Sequence, residues 1–542
     1  MCDEAGRPDR EPTRPASFYQ YARVLDRAAV IEADGLLVSY RTLGRRVNKV
    51  SHALRAAGVR PGDKIAGLLA NTSRFFELEL GAAQIGVRFV AVNSHLTGEE
   101  VAYILRNSKS RLVFSDAEFL PHATAALRAI GPSRTGLIAI GGPQGYRSYA
   151  EFVGGQPESE PEDRVFAMRS MYTSGTTGRP KGVIWPIDAQ IDPESAVAGL
   201  DWIMAQRGMV HDPSAITLIS GPLFHGAPGS WATAALNRAH TVVLTGKWDS
   251  ERFLSIVERY RVTTAQLAPV HFFRLLQLPK DVRDRFDVSS LRVISHAGAP
   301  TPVETKRQMI EWVGPVLYEY YGSSEGWGTT ISSQDWLDHP GSVGRHDGEG
   351  ARMKILDEAG AELPPGEPGI LWVRNPTGVN SEYLDDPGAT AASRLGEYYT
   401  VGDIAYLDED GWLFIVDRRT DLIVSGAVNV YPAEVEDVLR QHPSVADVAV
   451  VGVPDPEWGQ RACAVVVPLP GHAAGPELAT QIQTFARTSL AGFKIPRRIE
   501  FRDSLPYSPV GKLLRRQVRA ELANASRPPG PATNSGVLSA GV

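Results

Sequence analysis

The chain has 542 residues, 43% of them hydrophobic, which exceeds what a single core usually holds and is ample for two to four domains or subdomains. A formal net charge of -6 gives no electrostatic footprint for nucleic acid. The two cysteines, Cys2 and Cys463, have neither metal-ligand nor CxxC spacing, so a disulfide scaffold and a zinc site are not expected and a reducing cytoplasm fits.

The first stretch, MCDEAGRPDREPTRPAS, is charged, Pro-rich and without an apolar core, so residues 1–16 read as a mobile arm rather than a signal peptide. No apolar run is long enough to span a bilayer, and no integral membrane segment is expected. From Phe18 to Asp116 the pattern alternates between helical and strand periods. Leu43, Val47, Val50 and Leu54 predict a helix over 40–57 that Gly58 stops, and KIAGLLAN at 64–71 predicts a buried strand. Helices over 74–85 and 98–107 and strands over 89–92 and 111–114 continue a βα rhythm, which predicts parallel α/β layering. A polar loop, GGQPESEPED, precedes the stretch that carries most information.

That stretch is YTSGTTGRPKG at 172–182. Gly175, Gly178 and Gly182 alternate with Thr173, Ser174, Thr176 and Thr177 around Lys181, giving a permissive backbone, many hydroxyls and one placed cation. Glycine lets backbone N–H groups close on an anion, so the loop suits polyphosphate. A Walker A loop is excluded because Gly182, not Ser or Thr, follows the lysine. As composition alone, the segment also reads as an ordinary surface turn.

The ordered run TSGTTGxPKG resembles the phosphate loop of the acyl-adenylate-forming superfamily of acyl-CoA synthetases, luciferases and peptide-synthetase adenylation domains. That resemblance implies that Thr173, Ser174, Gly175, Thr176, Thr177, Gly178 and Lys181 bind ATP, with Thr176 among the catalytic groups. Beyond a predicted strand at 217–220, GPLFHGAPG at 221–229 reads either as a mobile gate over an apolar pocket or as a core-facing turn. The resemblance implies the former, with His225 against the acyl site. The aspartate with which peptide-synthetase domains hold an amino group near here is absent, which disfavours an amino-acid substrate. After a strand at 292–294, SHAGAPTP and LYEYYGSSEG resemble the family's adenine segments, implying that Gly298, Ala299, Pro300, Tyr321, Gly322, Ser323 and Ser324 contact the nucleotide and that Tyr321 stacks on adenine. Glu325 is implied as the Mg²⁺ carboxylate, and Ser324 replaces the family's usual Thr while keeping its hydroxyl.

In TVGDIAYLDEDGW, Asp403 matches the aspartate that accepts from the ribose diol. Asp408, Asp410 and Gly411 predict a hairpin turn into a strand at 412–416. The resemblance implies that the large domain ends at DRRTD, 417–421, with Arg418 as the second ribose contact. A helix is predicted from about Pro432, with Glu434 and Glu436 suiting its N-terminus, then strands at 445–452 and 462–467. In SPVGKLLRR, Lys512 matches the lysine that reaches the ATP site during adenylation; as part of a basic run with Arg515, Arg516 and Arg519 it also reads as one more surface cation. Residues 523–542 predict a disordered tail.

The resemblance covers nearly the whole chain and implies the adenylate-forming α/β fold: a large multi-subdomain AMP- and acyl-binding domain over 17–418, a hinge at 419–421, and a small mobile α+β domain over 422–522. The implied chemistry is ATP- and Mg²⁺-dependent activation of a carboxylic acid, then transfer to coenzyme A, with Lys512, Glu325 and Thr176 in the reaction. His225, Gly226, Gly229, Gly298, Gly322 and Gly328 are implied around the acyl cleft, and this density of small residues predicts a wide pocket for a bulky apolar acid. Segments such as DVAVVGVPDPEWGQ look most like bacterial ligases for fatty, steroid-side-chain or terpenoid acids. Two positions depart from the pattern. Thr420 stands at the hinge position that is often Asp or Lys, and Ser425, Gly426 and Ala427 stand where the pantetheine channel usually has serine and two glycines. An enzyme that adenylates well but hands its product to a partner enzyme is therefore one alternative, and a catalytically silent ligand-binding protein is another. A homodimer stays open.

Overall fold

The structure, a computed structural model, describes residues 17–131, 135–173, 180–187, 191–299, 301–345, 352–375, 378–418, 421–425, 428–455, 459–490, 492, 494–508 and 512–525. They fall into two compact units, one made of residues up to Val401 with Ala405–Ile415, the other of Gly402–Ile404, Val416–Ser508 and the residues from Lys512 onward.

In the first unit the helix Tyr40–Ala56 forms where the apolar spacing predicts it. Ser39 caps it by accepting from the Thr42 N–H, and Leu43, Val47, Val50 and Leu54 are buried. The chain leaves it through Gly58 at φ +79°. Strands Lys64–Leu68, Arg88–Ala91, Leu112–Asp116, Gly136–Ile140 and Arg147–Ser148 make one all-parallel sheet. The largely apolar runs of the four longer strands fit strands covered on both faces.

An eight-stranded sheet carries the site. Its inner strands Val293–His296, Thr264–Leu267, Ile216–Ile219 and Thr241–Leu244 run parallel in that spatial order, with Leu317–Ser323 parallel beside the first of them. From Ile216–Ile219 the chain goes first to the neighbour on one side and then crosses back to the other. Ile216–Ile219 is thus a point where strand order reverses, and in open α/β sheets ligands bind beyond the carboxyl ends of strands at such points. A three-stranded antiparallel sheet joins Met171–Thr173, Lys181–Ile184 and Glu382–Tyr383. A six-stranded sheet of Met353–Leu356, Gly369–Arg374, Arg394–Leu395, Tyr398–Tyr399, Asp403–Leu407 and Leu413–Arg418 follows. The expected turn between its last two strands is present: Gly411 has φ +78°, and the Trp412 N–H donates to Asp408 Oδ1 at 2.8 Å.

The second unit packs the helices Pro432–Arg440 and Pro476–Ala486 on a sheet of Ile423–Ser425, Val428–Val430, Val445–Asp455, Gly459–Pro468 and Arg498–Phe501, with Arg515–Ala525 against Val445–Asp455. Glu436 does more than favour a helix start: its buried carboxylate accepts from the Val450 N–H at 2.8 Å and from Arg515 at 2.6 Å.

Three expectations change. The helix Gly226–Leu236 begins inside the segment read as a gate or turn, because Pro228 fits a first turn and Trp231 is driven into the core at 1% exposure. Residues 523–525 belong to the last helix rather than to a tail, while 526–542 and the arm 1–16 lie outside the described residues. The units divide at Ile415/Val416, ahead of the expected hinge, of which 419–420 lie outside the described residues.

Candidate active site

Three segments that the motifs single out leave the carboxyl ends of parallel strands of this one sheet. Gly221–His225 follows Ile216–Ile219, Ala297–Ala299 follows Val293–His296, and Ser324–Glu325 closes the turn between Leu317–Ser323 and its antiparallel partner Gly326–Ser332. Gly298 has φ +91°, a conformation that disfavours any side chain. Gly326 is required by contact: a Cβ there would lie 2.4 Å from the Tyr399 ring.

Glu325 is held from several sides. Its N–H donates to Ser323 Oγ at 3.2 Å, its carbonyl accepts from Ser381 Oγ at 2.9 Å, and its carboxylate accepts from the Tyr383 hydroxyl at 2.8 Å. Burial, with the Glu325 charge beside it, raises the Tyr383 phenol well above the tyrosine range, so it is a dedicated donor. Lys181 Nζ lies 4.7 Å above the same ring. Thr173 and Lys181 are cross-strand partners, so the two ends of the phosphate-loop motif are fixed opposite each other; residues 174–179, including Ser174, Gly175, Thr176, Thr177 and Gly178, lie outside the described residues. The same holds for Pro300.

A cavity of about 370 Å³ lies beside these segments, lined by Gly226, Ala227, Gly298, Gly322, Ser323 and Ser324 together with Phe166, Met168, Met171, Trp185, Met204, Tyr320 and Trp327. Trp185 and Trp327 face each other at 4.7 Å, and Trp185 Nε1 donates to the Ser324 carbonyl at 3.3 Å. Glycines account for only part of the wall. Charged groups also reach it: Arg169 Nε lies 3.3 Å from Glu79, whose carboxyl is raised by burial against the opposing pull of Arg169. Arg238 pairs with Asp201, and the Arg207 guanidinium lies 3.9 Å over the Tyr320 ring.

His225, Gly229 and Gly328 are not among these lining residues. His225 occupies the N-cap of Gly226–Leu236 with its ring 4.5 Å from Phe224, and burial, reinforced by His95, lowers its imidazole to about 4. It is neutral at pH 7 and unsuited to hold an anion by charge. Gly229 makes room for Arg169, since a Cβ would lie 2.4 Å from the guanidinium, and Gly328 packs against the Tyr321 carbonyl.

In the second unit Asp403 opens the strand Asp403–Leu407 with its side chain buried. Arg418 ends the strand Leu413–Arg418, and Ser425 ends Ile423–Ser425. Thr420, Gly426 and Ala427 lie outside the described residues. Lys512 is set by local hydrogen bonds: its N–H donates to Ser508 Oγ at 3.0 Å, and the Ser508 N–H donates to the Lys512 carbonyl at 2.8 Å. The basic run divides by role, because Arg515 is committed to Glu436 and Arg516 is exposed. Among the described residues no group of three or more His, Cys, Asp or Glu could cage a metal, and no helix is long and apolar enough to cross a membrane. Sequence reasoning missed Tyr383, Arg169, Arg207, Trp185 and Trp327, none of which sits in the motifs used.

The family matches and the full-length relatives identify an AMP-forming acid–thiol ligase. The chain belongs to the AMP-binding enzyme family, which matches residues 18–384, with the AMP-binding enzyme C-terminal domain matching 434–512. It is 34% identical over 519 residues to the fatty acid–[acyl-carrier-protein] ligase ScoC of Streptomyces coeruleorubidus, covering 94% of this chain and 93% of that one. It is 33% identical over 506 residues to a feruloyl-CoA synthase of Amycolatopsis sp, covering 92% and 96%. The solved amide bond synthetase McbA from Marinactinospora thermotolerans is similar at 30% identity and a TM-score of 0.78, covering 93% of this chain and 99% of that one. These likenesses and the two matched regions bear out the adenylate-forming fold.

Proposed function

We propose that this ligase activates a bulky, largely apolar carboxylic acid with ATP and Mg²⁺ and passes the acyl group to the thiol of coenzyme A. The observation that supports the reading is the adjacency of the cavity to the turn that carries Glu325: Gly322, Ser323 and Ser324 line the one and lead directly into Glu325. At about 370 Å³ the cavity falls within the range of small-molecule sites.

The substrate carboxylate attacks the α-phosphorus of ATP, forming the acyl–O–P bond as the bond to pyrophosphate breaks. The protein supplies position and charge rather than a nucleophile. Thr173, Lys181 and the loop between them hold the phosphates, Tyr321, Gly298 and Ala299 hold the base, Asp403 and Arg418 hold the ribose, and Lys512 brings the remaining cation. Glu325 suits Mg²⁺, because its buried carboxylate has Tyr383 as its only donor among the described residues and the ion takes one or two carboxylates with phosphate oxygens and water. Mg²⁺ there would neutralise charge on the phosphates. Mass spectrometry of the products from ATP, Mg²⁺, coenzyme A and a panel of acids tests the reading: adenylates and thioesters of bulky acids with a largely apolar skeleton, with or without a second polar group, are expected, and a preference for short linear acids refutes the substrate class.

A second reading is that the adenylate is handed to an acceptor other than coenzyme A. It is favoured by the carrier-protein and amide-forming activities named for two of the similar proteins and by Thr420 and Ala427 in this chain. Single-turnover reaction of preformed adenylate with coenzyme A separates the two. A fast thioester step supports the first, whereas a slow one accelerated by Ala427→Gly with Thr420→Asp supports the second.

A further inference from the structure

The cavity wall holds three arginines, and two are matched. Arg169 lies against Glu79 and donates to Ser230 Oγ at 3.1 Å; Arg238 is paired with Asp201. Arg207, at 7% exposure, makes no side-chain hydrogen bond or ion pair with any described residue, and its Nε is buried without a partner. Among the described residues its close neighbour of opposite electrostatic character is the Tyr320 ring, 3.9 Å away. A guanidinium cannot shed its proton in a protein, so burial leaves a desolvated cation, and a cation–π contact offsets that cost only in part.

Position assigns the charge a use. Tyr320 lines the cavity, whereas Tyr321, which follows it where the pairing with Gly326–Ser332 shifts register, does not. Arg207 therefore belongs to the acyl side of the site. With one face held on the ring, a guanidinium keeps its N–H edge for a planar, two-oxygen acceptor.

We propose that Arg207 recognises a second, anionic group on the acid, so that the enzyme prefers acids carrying a distal carboxylate over apolar acids of the same skeleton. This rests on the assignment of the cavity to the acyl group. The reacting carboxylate goes to the Gly322–Ser324 end, and the second meets Arg207 among Met204, Leu200 and Tyr320.

The test uses the full chain in ATP–pyrophosphate exchange with sets of acids sharing one skeleton: the monoacid, its distal carboxylate and its distal carboxamide. Wild type should favour the diacid in kcat/KM, and Arg207→Met should lower the diacid by roughly 100-fold, the scale for losing a buried charge partner, while raising the apolar monoacid. Thermal melts give an independent reading. Arg207→Met should melt at or above wild type, since an unpaired buried charge is removed, and dicarboxylates should stabilise wild type but not the variant. Exchange that favours apolar monoacids in wild type and falls equally for all acids in Arg207→Met overturns the inference and leaves the ligase reading standing. No exchange with any acid, with Arg207-dependent stabilisation by dicarboxylates retained, overturns the ligase reading and supports the anion site.

Discussion

The hydroxyl of Tyr383 donates to the carboxylate of Glu325 at 2.8 Å, across 58 residues of chain. Because Lys181 lies over the same ring, one tyrosine fixes both the candidate metal carboxylate and the lysine that follows the phosphate loop. Partners that orient a metal-binding carboxylate typically matter by roughly 10–100-fold in affinity or activity. Tyr383→Phe should therefore slow pyrophosphate exchange within that range without lowering the melting temperature by more than a few degrees. Unchanged exchange would detach Tyr383 from the reaction.

Lys512→Ala should slow adenylate formation by roughly 10²–10³-fold, the range for losing one transition-state charge donor. Its side chain is only half-buried, so stability should hold. Equal exchange rates for variant and wild type would remove Lys512 from the adenylation step.

Gly226 and Met171 both line the cavity, and a Cβ on Gly226 would lie 3.0 Å from Met171 Sδ. Gly226→Leu should exclude bulky acids and leave the KM for ATP near wild type. Gly298→Leu is the weaker probe because φ +91° adds backbone strain to any steric effect. Turnover of the bulkiest acid by Gly226→Leu at the wild-type rate would place the acyl group elsewhere.

The fold should be acid-labile through its buried histidines. His240 Nε2 donates to the Val210 carbonyl at 2.7 Å and Nδ1 accepts from Thr217 at 2.8 Å, a neutral arrangement. Burial lowers His240 to about 4 and His271 to about 3. Both are below the unfolded value near 6.5, so the unfolded chain binds protons first as pH falls. Their contribution is complete above pH 6.5 and is lost between about 6.5 and 4 for His240 and between about 6.5 and 3 for His271, amounting to roughly 3 kcal/mol or more for each. Urea midpoints measured from pH 7.5 to 4 should fall steeply across that window, and His240→Gln should flatten the fall. A flat profile for wild type refutes the assignment.

Much of the layering was legible because it is written locally. The stripe Leu43, Val47, Val50 and Leu54 and the buried run at Lys64–Leu68 fix their own elements within two or three residues. The segment at Gly226 was not, since two glycines and a proline read as a loop until the packing of Trp231 makes them a first turn. Tyr383 and Arg207 carry no local signal at all. What distinguishes them is a carboxylate 58 residues away in one case and an absent partner in the other, and neither is a property of neighbouring sequence.

In the second unit, Arg515→Ala should cost less than the roughly 3–5 kcal/mol of a fully unpaired buried charge, because Glu436 keeps Arg440 at 3.5 Å and the Val450 N–H. Replacing both by methionine should recover most of that loss. A double variant no more stable than Arg515→Ala would show that the pair does more than cancel its own charge.

The strand Glu382–Tyr383 has only two residues, yet it covers the outer edge of Lys181–Ile184 through the register Tyr383 with Val183 and Glu382 with Ile184. A chain truncated just ahead of Glu382 would lose Tyr383 from Glu325 and also bare a row of unpaired N–H and C=O groups beside the phosphate loop, a template for intermolecular pairing. Fragments intended to isolate the nucleotide half of this enzyme must therefore run past Leu384, whose own N–H donates to the Gly182 carbonyl at 2.7 Å; shorter ones should self-associate rather than bind.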